Sequence, residues 1–349
     1  MILPASYITN LILLILGMLC FGSWAATYKS AGPKWRFELY YLDFGVGFFL
    51  AATIIALTLG SFGFDGFSFT DDLRLAGKKQ DALAFAAGAV FNFGNIFLVA
   101  ALSLAEMSVV FPICLGFALV IGTISGLVVA PAGNKILLLG GAAVVAIAVV
   151  IAVMALRSHA AAKLLESMRS GKAKTTKKGV GWKSVIICLV SGFFLGSFYP
   201  LIILARQGDN GLGPYSLGWL FSFGVLITTF VYNLFLMNLP VQGQPVDLAQ
   251  FFRAKLSMHM KGLIGGVMFF IALIASLIAA RAEGPAQVQP FLNYGLGQIG
   301  IIVAALWGLL RWKEFSDADS KVKIELALMF VLLIAGIGLS STALLTSTQ

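Results

Sequence analysis

The sequence has little charge, few cysteines and almost no histidine. Charged residues make up 11% of its 349 residues and hydrophobic residues 59%, and the mean hydropathy is +0.95. Soluble domains contain about 25% charged and about 45–50% apolar residues. Because one water-soluble core cannot bury such an apolar surplus, a soluble enzyme, a disordered chain and a disulfide-rich secreted domain are excluded.

The residues that carry catalysis or bind metals are equally scarce. Cys20, Cys114 and Cys188 lie inside apolar stretches, where we expect no disulfides, and no metal-binding spacing occurs. His159 and His259 are placed in loops, so no histidine base is expected within the membrane. No Gly-x-x-x-x-Gly-Lys-Ser/Thr loop is present. The sequence therefore predicts neither an enzyme nor an ATP-driven pump, and no metal or cofactor.

What the chain does have is apolar runs. A bilayer core of about 30 Å needs roughly 20 apolar residues per helix, and only helices satisfy their own backbone within one such segment. The sequence thus predicts an all-α integral membrane protein with ten transmembrane helices. They are expected near 6–28, 39–62, 81–104, 107–129, 134–156, 183–205, 214–239, 261–281, 285–310 and 321–345.

The basic residues predict the orientation of these helices. Of the 24 Lys and Arg residues, 18 lie in or beside the connections after spans 1, 3, 5, 7 and 9. Since cytoplasmic loops collect Lys and Arg, these connections are expected inside and both termini outside. The net charge of +9 is then explained mainly by the Lys and Arg residues of the cytoplasmic loops, and no nucleic-acid partner is expected.

The two halves of the chain resemble each other. Residues 21–24 (Phe-Gly-Ser-Trp) recur as residues 195–198 (Leu-Gly-Ser-Phe). At an offset of 178, three further matches are Gly88 with Gly266, Pro112 with Pro290 and Gly122 with Gly300. An odd number of spans per half inverts the second half, an arrangement found in many secondary transporters. The predicted division is 1–156 for the first five-helix repeat, 157–182 for a basic cytoplasmic linker and 183–349 for the second repeat.

Polar side chains inside the spans are the candidates for a substrate site, because hydrocarbon makes them costly. Asn92 and Asn95 share one face of span 3. Span 9 contributes Gln287, Gln289, Asn293, Tyr294 and Gln298. Each amide alone is better explained by hydrogen bonding between helices. Their concentration in two repeat-related regions favours a substrate pathway.

Aromatic residues occur at repeat-equivalent positions. Trp24 in span 1 corresponds to Phe198 and Tyr199 in span 6. Rings that stack on a ligand and amides that bond its rim suit a polar, uncharged, planar molecule. No Arg or Lys lies deep in a span to bind a phosphate or carboxylate, which argues against organic anions.

Carboxylates and prolines supply candidates for coupling and gating. A proton-coupled transporter needs a group whose protonation responds to its environment, and the candidates are Asp43, Glu106 and Glu283. Asp43 is the best placed, although it also suits an interfacial cap or a partner for a cation in a loop. Pro112 and Pro290 lie inside spans 4 and 9, as gating hinges or as packing kinks.

These residues form a recognisable pattern. The chain resembles the drug/metabolite transporter superfamily and, within it, the ureide permease family, best known from plants, whose members move allantoin and nucleobases such as uracil and xanthine. The resemblance covers nearly the whole chain. It rests on Gly22-Ser23-Trp24, Tyr41-Leu42-Asp43, residues 48–52, Gly94-Asn95, Ser108-Val109, residues 120–123, and Gln287 with Pro290.

The resemblance implies ten helices in an inverted five-plus-five repeat, alternating access and a proton gradient as the driving force. Trp24, Asp43, Asn95 and Gln287 are its functional matches. Phe111 is a departure, because an acidic residue is expected there from the plant proteins. Related glucose, ribose and rhamnose porters share the architecture.

The sequence thus predicts a secondary transporter in the cell inner membrane, importing a small neutral heterocycle with protons. Its other expected partner is the lipid bilayer. A sugar porter of the same superfamily is an alternative. A non-transporting scaffold or sensor that uses the basic loop at 157–183 is a second alternative, from another class.

Overall fold

The computed structural model describes residues 1–33, 35–131, 133–169 and 180–345, and over these ranges it contains helices and no strands. Four linker lysines, Lys172, Lys174, Lys177 and Lys178, lie outside the described residues. The helices are α1 (Tyr7–Ala31), α2 (Phe37–Leu57), α3 (Phe69–Leu75), α4 (Lys78–Leu102), α5 (Met107–Val129), α6 (Lys135–Arg169), α7 (Val180–Ser197), α8 (Tyr199–Ala205), α9 (Pro214–Asn238), α10 (Ala249–Phe252), α11 (Leu256–Ala279), α12 (Pro290–Arg311) and α13 (Ser320–Thr342).

Within these ranges, ten helical segments are long and apolar enough to cross a bilayer, as predicted. Helices α7 and α8 together form the sixth segment, and a 3₁₀ turn at Gly284–Ala286 precedes α12 in the ninth. The short helices α3 and α10 lie in connections. The chain is therefore a multi-pass, all-α membrane protein.

The placement of both histidines in loops is wrong. His159 lies in α6 and His259 in the first turn of α11. Hydropathy locates the part of a helix that sits in hydrocarbon, whereas backbone hydrogen bonds continue the helix into polar sequence. Both helices therefore extend past their apolar stretches.

Of the two prolines predicted inside helices, one is found there and the other is not. Pro112 lies within α5, as predicted. Pro290 is instead the first residue of α12, where its missing N–H costs nothing because the first helical N–H groups have no partner within the helix. The break in a helix occurs at Phe198, between α7 and α8, just before Pro200. Proline disrupts the preceding turn of a helix, which accounts for this break.

Interhelical contacts recur between the two halves. Helix α1 packs against α11 and α12, and α7 packs in the same way against α4 and α5. Helix α2 packs against α11 as α9 packs against α4, while α6 pairs with its counterpart α13.

Glycines permit the closest of these contacts. A Cβ atom at Gly266 would collide with the backbone carbonyl of Phe44, and one at Gly88 with that of Phe221. Helices α2 and α11, and likewise α9 and α4, therefore approach backbone to backbone. Phe44 and Phe221 occupy equivalent positions, as do Gly88 and Gly266.

Candidate substrate site

Aromatic rings fill the middle of the bundle. The Trp24 ring, fully buried, lies 5.2 Å between centroids from both Phe44 and Phe269. Its repeat counterpart Phe198 lies 5.8 Å from Phe221 and 5.4 Å from Phe91. Each of these positions thus has a counterpart in the other half. The rings of Phe91 and Phe269, counterparts themselves, meet at 5.0 Å between the halves.

A chain of polar side chains leads into this cluster. The Asn95 Nδ2 donates to the Tyr41 hydroxyl at 3.0 Å, and that hydroxyl donates to Asn92 Oδ1 at 2.9 Å. The Asn92 Nδ2 lies 3.1 Å from the Val225 carbonyl and 2.9 Å from Thr228 Oγ1. Asn92 is thereby bonded between α4 and α9, whereas Asn95 keeps its Oδ1 without a partner among the described residues.

The start of span 9 was predicted to contribute to the substrate site, but it does not contact this cluster. Gln287 and Gln289 are exposed, in the turn before α12. Asn10, near the start of α1, donates to the Ala286 carbonyl at 2.8 Å. Trp24 lies 14 residues further along α1, which corresponds to roughly 21 Å of helix rise. Asn95 and Gln287, both predicted as substrate-site residues, therefore do not come together, because the helix starts only at Pro290.

Of the other predicted residues of α12, one bonds to a neighbouring helix and two are partly exposed. Asn293 bonds to Ser276 of α11 through both its Oδ1, at 3.1 Å, and its Nδ2, at 3.3 Å. Tyr294 and Gln298, one turn apart, are partly exposed. Tyr294 faces Thr123 of α5 and Tyr199 of α8, and Tyr199 is 50% exposed.

These half-exposed polar groups belong to the end of the bundle at which α1 begins. Arg206, just beyond α8, lies at this end. Burial lowers the pKa of its guanidinium, and Arg281 adds to this effect, while Tyr199 opposes it.

The predicted carboxylates lie apart from one another. Glu106 pairs with Lys163 at 3.2 Å, on the surface, and Glu283 is exposed. Asp43 is buried and faces His259, whose Nδ1 lies 2.9 Å from Oδ2 and 3.1 Å from Oδ1.

Aromatic rings and close packing enclose the Asp43–His259 pair. The rings of Phe251 and Trp35 pack edge-on to the His259 ring, at 4.6 and 5.8 Å between centroids. Gly262 lies against Asp43 with no room for a side chain. A titratable pair thus joins α2 to α11, and sequence reasoning missed its histidine half.

Comparison with known proteins shows which family the chain resembles. The ureide permease family model matches residues 40–185. The chain is similar to the ureide permeases.

Ureide permease 1 of Arabidopsis thaliana is 26% identical, over 94% of this chain and 96% of its own length. Ureide permease 2 of the same plant is 24% identical over 93% and 94%. A solved crystal structure with 14% identity aligns over 98% of this chain and 99% of its own, with a TM-score of 0.53, and this likeness concerns the fold alone.

The ureide permease match includes the polar side chains that lead into the ring cluster, but only part of the cluster itself. Tyr41, Asp43, Phe44, Asn92 and Asn95 all lie within the matched residues. Trp24, Phe198 and Phe269 lie outside them, and the fold brings these three rings to the central cluster. His259, the partner of Asp43, also lies outside the matched residues.

Proposed function

We propose that this protein is a secondary transporter of the ureide permease family that imports a small, neutral, polar heterocycle. The observation that carries the proposal is the central cluster of rings and amides, which combines flat apolar surfaces with hydrogen-bonding groups and places no charged side chain beside Trp24 or Asn95 among their described contacts. Similarity to two ureide permeases over nearly the whole chain supports the same substrate class.

Trp24, Asn95 and Phe198 form the centre of the proposed site. Tyr199, Tyr294 and Gln298 would line the path from the outer surface, with Gln287 and Gln289 at its mouth. Asn92 and Asn293 are bonded between helices, so we assign them to packing rather than to the substrate.

The recurring contacts support alternating access between two inverted five-helix halves. Because the main helix-packing contacts of one half have counterparts in the other, one set can loosen at the inner end while the equivalent set closes at the outer end. The division at the linker, the hinge role of Pro112 and the placement of both termini outside belong to this proposal.

Proton symport is the proposed coupling, with Asp43 and His259 as the proton-carrying pair. The His259 Nδ1 and the Asp43 Oδ2 are close enough to share a proton. The charged side chains near this pair have other partners, since Arg36 pairs with Glu38 and Lys261 donates to the Ser30 carbonyl. Glu106 and Glu283, near the surface, are less suited to this role.

Transport by the purified protein in proteoliposomes tests the function. Uracil, xanthine and allantoin should be taken up saturably, and an inward proton gradient should raise the rate. Glucose, ribose and rhamnose serve as the matched panel, because Trp and amide side chains also bind sugars. Uptake of a sugar but of no heterocycle would replace this proposal with the sugar porter.

A further inference from the structure

Two polar atoms at the centre of the bundle have no hydrogen-bond partner among the described residues. They are the Nε1 of Trp24, a donor, and the Oδ1 of Asn95, an acceptor. Trp24 is 0% and Asn95 1% exposed. Buried polar atoms in native proteins are nearly always bonded, so an orphan requires an explanation.

The two residues that carry these atoms are connected through the ring of Phe44. Phe44 lies 5.2 Å from Trp24 and 5.0 Å from Tyr41 between ring centroids, and the Tyr41 hydroxyl accepts from Asn95. Other unpartnered atoms, on Asn10, Trp35 and Asn233, lie toward helix ends or between helices instead.

The hydrogen-bond chain fixes which atom Asn95 presents. Tyr41 uses its one hydroxyl hydrogen on Asn92 Oδ1, and Asn92 is held by donating to α9. The Tyr41 oxygen must therefore accept from Asn95 Nδ2. This leaves Oδ1 of Asn95 as the group available to a ligand.

We propose, on the basis of the transport function above, that Trp24 and Asn95 together read the cis-amide edge of a ureide or lactam. The Trp24 N–H donates to the carbonyl oxygen of the substrate, and Asn95 Oδ1 accepts from the adjacent N–H. One substrate edge thus satisfies both orphans. The rings that now cover them would yield to a planar ligand, Phe269 being the least enclosed at 8% exposed.

The test compares uracil with 1,3-dimethyluracil, which keeps both carbonyls but has no N–H. Wild-type protein in nanodiscs should bind uracil about 10- to 100-fold more tightly, as expected for a site whose buried acceptor is left unpaired. Asn95→Leu should bring this ratio close to one. Trp24→Phe should weaken both ligands and leave the ratio unchanged.

Trp219→Phe is the matched control, because the Trp219 Nε1 already donates to Thr53 at 3.2 Å, and it should behave as wild type. An unchanged ratio in Asn95→Leu would overturn the pairing alone. No saturable binding of uracil or allantoin by the wild type would overturn the proposed substrate class together with this inference.

A second buried group joins the halves at the inner end. Glu314, between α12 and α13, accepts from the backbone N–H of Met107 at 3.0 Å and of Ser108 at 2.9 Å. It also bonds the Ser108 hydroxyl and pairs with Lys29 at the end of α1. Its side chain is 6% exposed. A loop of the second half thereby caps the first turn of α5.

The local backbone is shaped around this contact. Lys313 and Phe315, on either side of Glu314, have φ angles of 51° and 64°, the left-handed region that non-glycine residues rarely adopt. Gly308 leaves the space that the carboxylate occupies, since a Cβ there would collide with Glu314 and Ser108. Such strain persists only where the surrounding structure imposes it.

The opposite end has no such contact among the described residues. At the first turn of α12, the counterpart of α5, no described side chain bonds the backbone N–H groups as Glu314 does at α5. Gln287 and Gln289 beside this turn are exposed. We infer that Glu314 is the latch of the inner gate, closed in this conformation while the outer end is unlatched.

Hydrogen–deuterium exchange on the full chain in nanodiscs tests the latch. In Glu314→Gln and in Gly308→Ala, the amides at the start of α5 should exchange at least tenfold faster, while those of the outer segment 287–298 slow as that end closes. Glu106→Gln, a surface carboxylate beside the same turn, should leave both unchanged. Unchanged exchange at α5, or faster exchange at both ends, would overturn the gate.

Discussion

The close approach of α2 to α11 makes a specific prediction about Gly266. A methyl group added at this position would overlap the backbone carbonyl of Phe44, far inside the 3.4 Å at which ordinary contact begins. The atom that it meets belongs to the backbone and cannot rotate away. Gly266→Ala must therefore push the two helices apart.

The expected loss follows from the cost of overpacking. Forcing an extra methyl group into a packed interface costs about 1–3 kcal/mol, and here it acts on the Phe44–Phe269–Trp24 rings as well, since Phe269 lies one turn after Gly266. Alanine is favoured over glycine within helices by roughly 1 kcal/mol, which offsets part of this cost. The net loss should therefore be at most about 2 kcal/mol, and nearest that limit if the rings hold the helices in place.

Thermal unfolding in detergent, followed by the fraction that remains monodisperse, measures this effect. Gly266→Ala and its counterpart Gly88→Ala should both lower the midpoint and reduce uptake. Gly338→Ala in α13 is the control, because no atom lies within 4 Å of the added methyl group, and its midpoint should stay the same or rise. A midpoint for Gly266→Ala equal to that of Gly338→Ala would refute the backbone-contact argument.

Three further predictions concern coupling, packing and topology. Asp43→Asn and His259→Gln should each abolish the response of uptake to a proton gradient in proteoliposomes while exchange of substrate across the membrane persists; a retained response would remove this pair from the coupling. Asn92→Leu should lower stability by about 1–3 kcal/mol in the same unfolding assay, because it leaves the groups that it bonds unpaired, and an unchanged midpoint would contradict a packing role. Reporter fusions at the C-terminus should show it on the non-cytoplasmic side of the membrane, whereas a cytoplasmic signal would reverse the predicted orientation.

Part of the site could be predicted from the sequence. Asn95 and Trp24 stand out because a polar or aromatic group deep in an apolar run is costly and therefore conspicuous. The likeness of residues 21–24 to 195–198 anticipated the equivalent ring contacts of Trp24 and Phe198. Glu314 gave no such signal, since a carboxylate in a short basic connection looks like an ordinary surface residue.

Composition and hydropathy by themselves determined that the chain lies in a membrane as ten helices, because the length and polarity of each run decide whether its backbone can be satisfied in lipid. The tertiary structure decided which polar groups meet. Gln287 lies far from Asn95 because α12 starts only at Pro290. His259 contacts Asp43 because α11 begins earlier than its apolar stretch. Glu314, in the other half, bonds to the start of α5. Contacts between residues so distant in sequence depend on where helices begin and how closely they pack, and hydrophobic periodicity records neither.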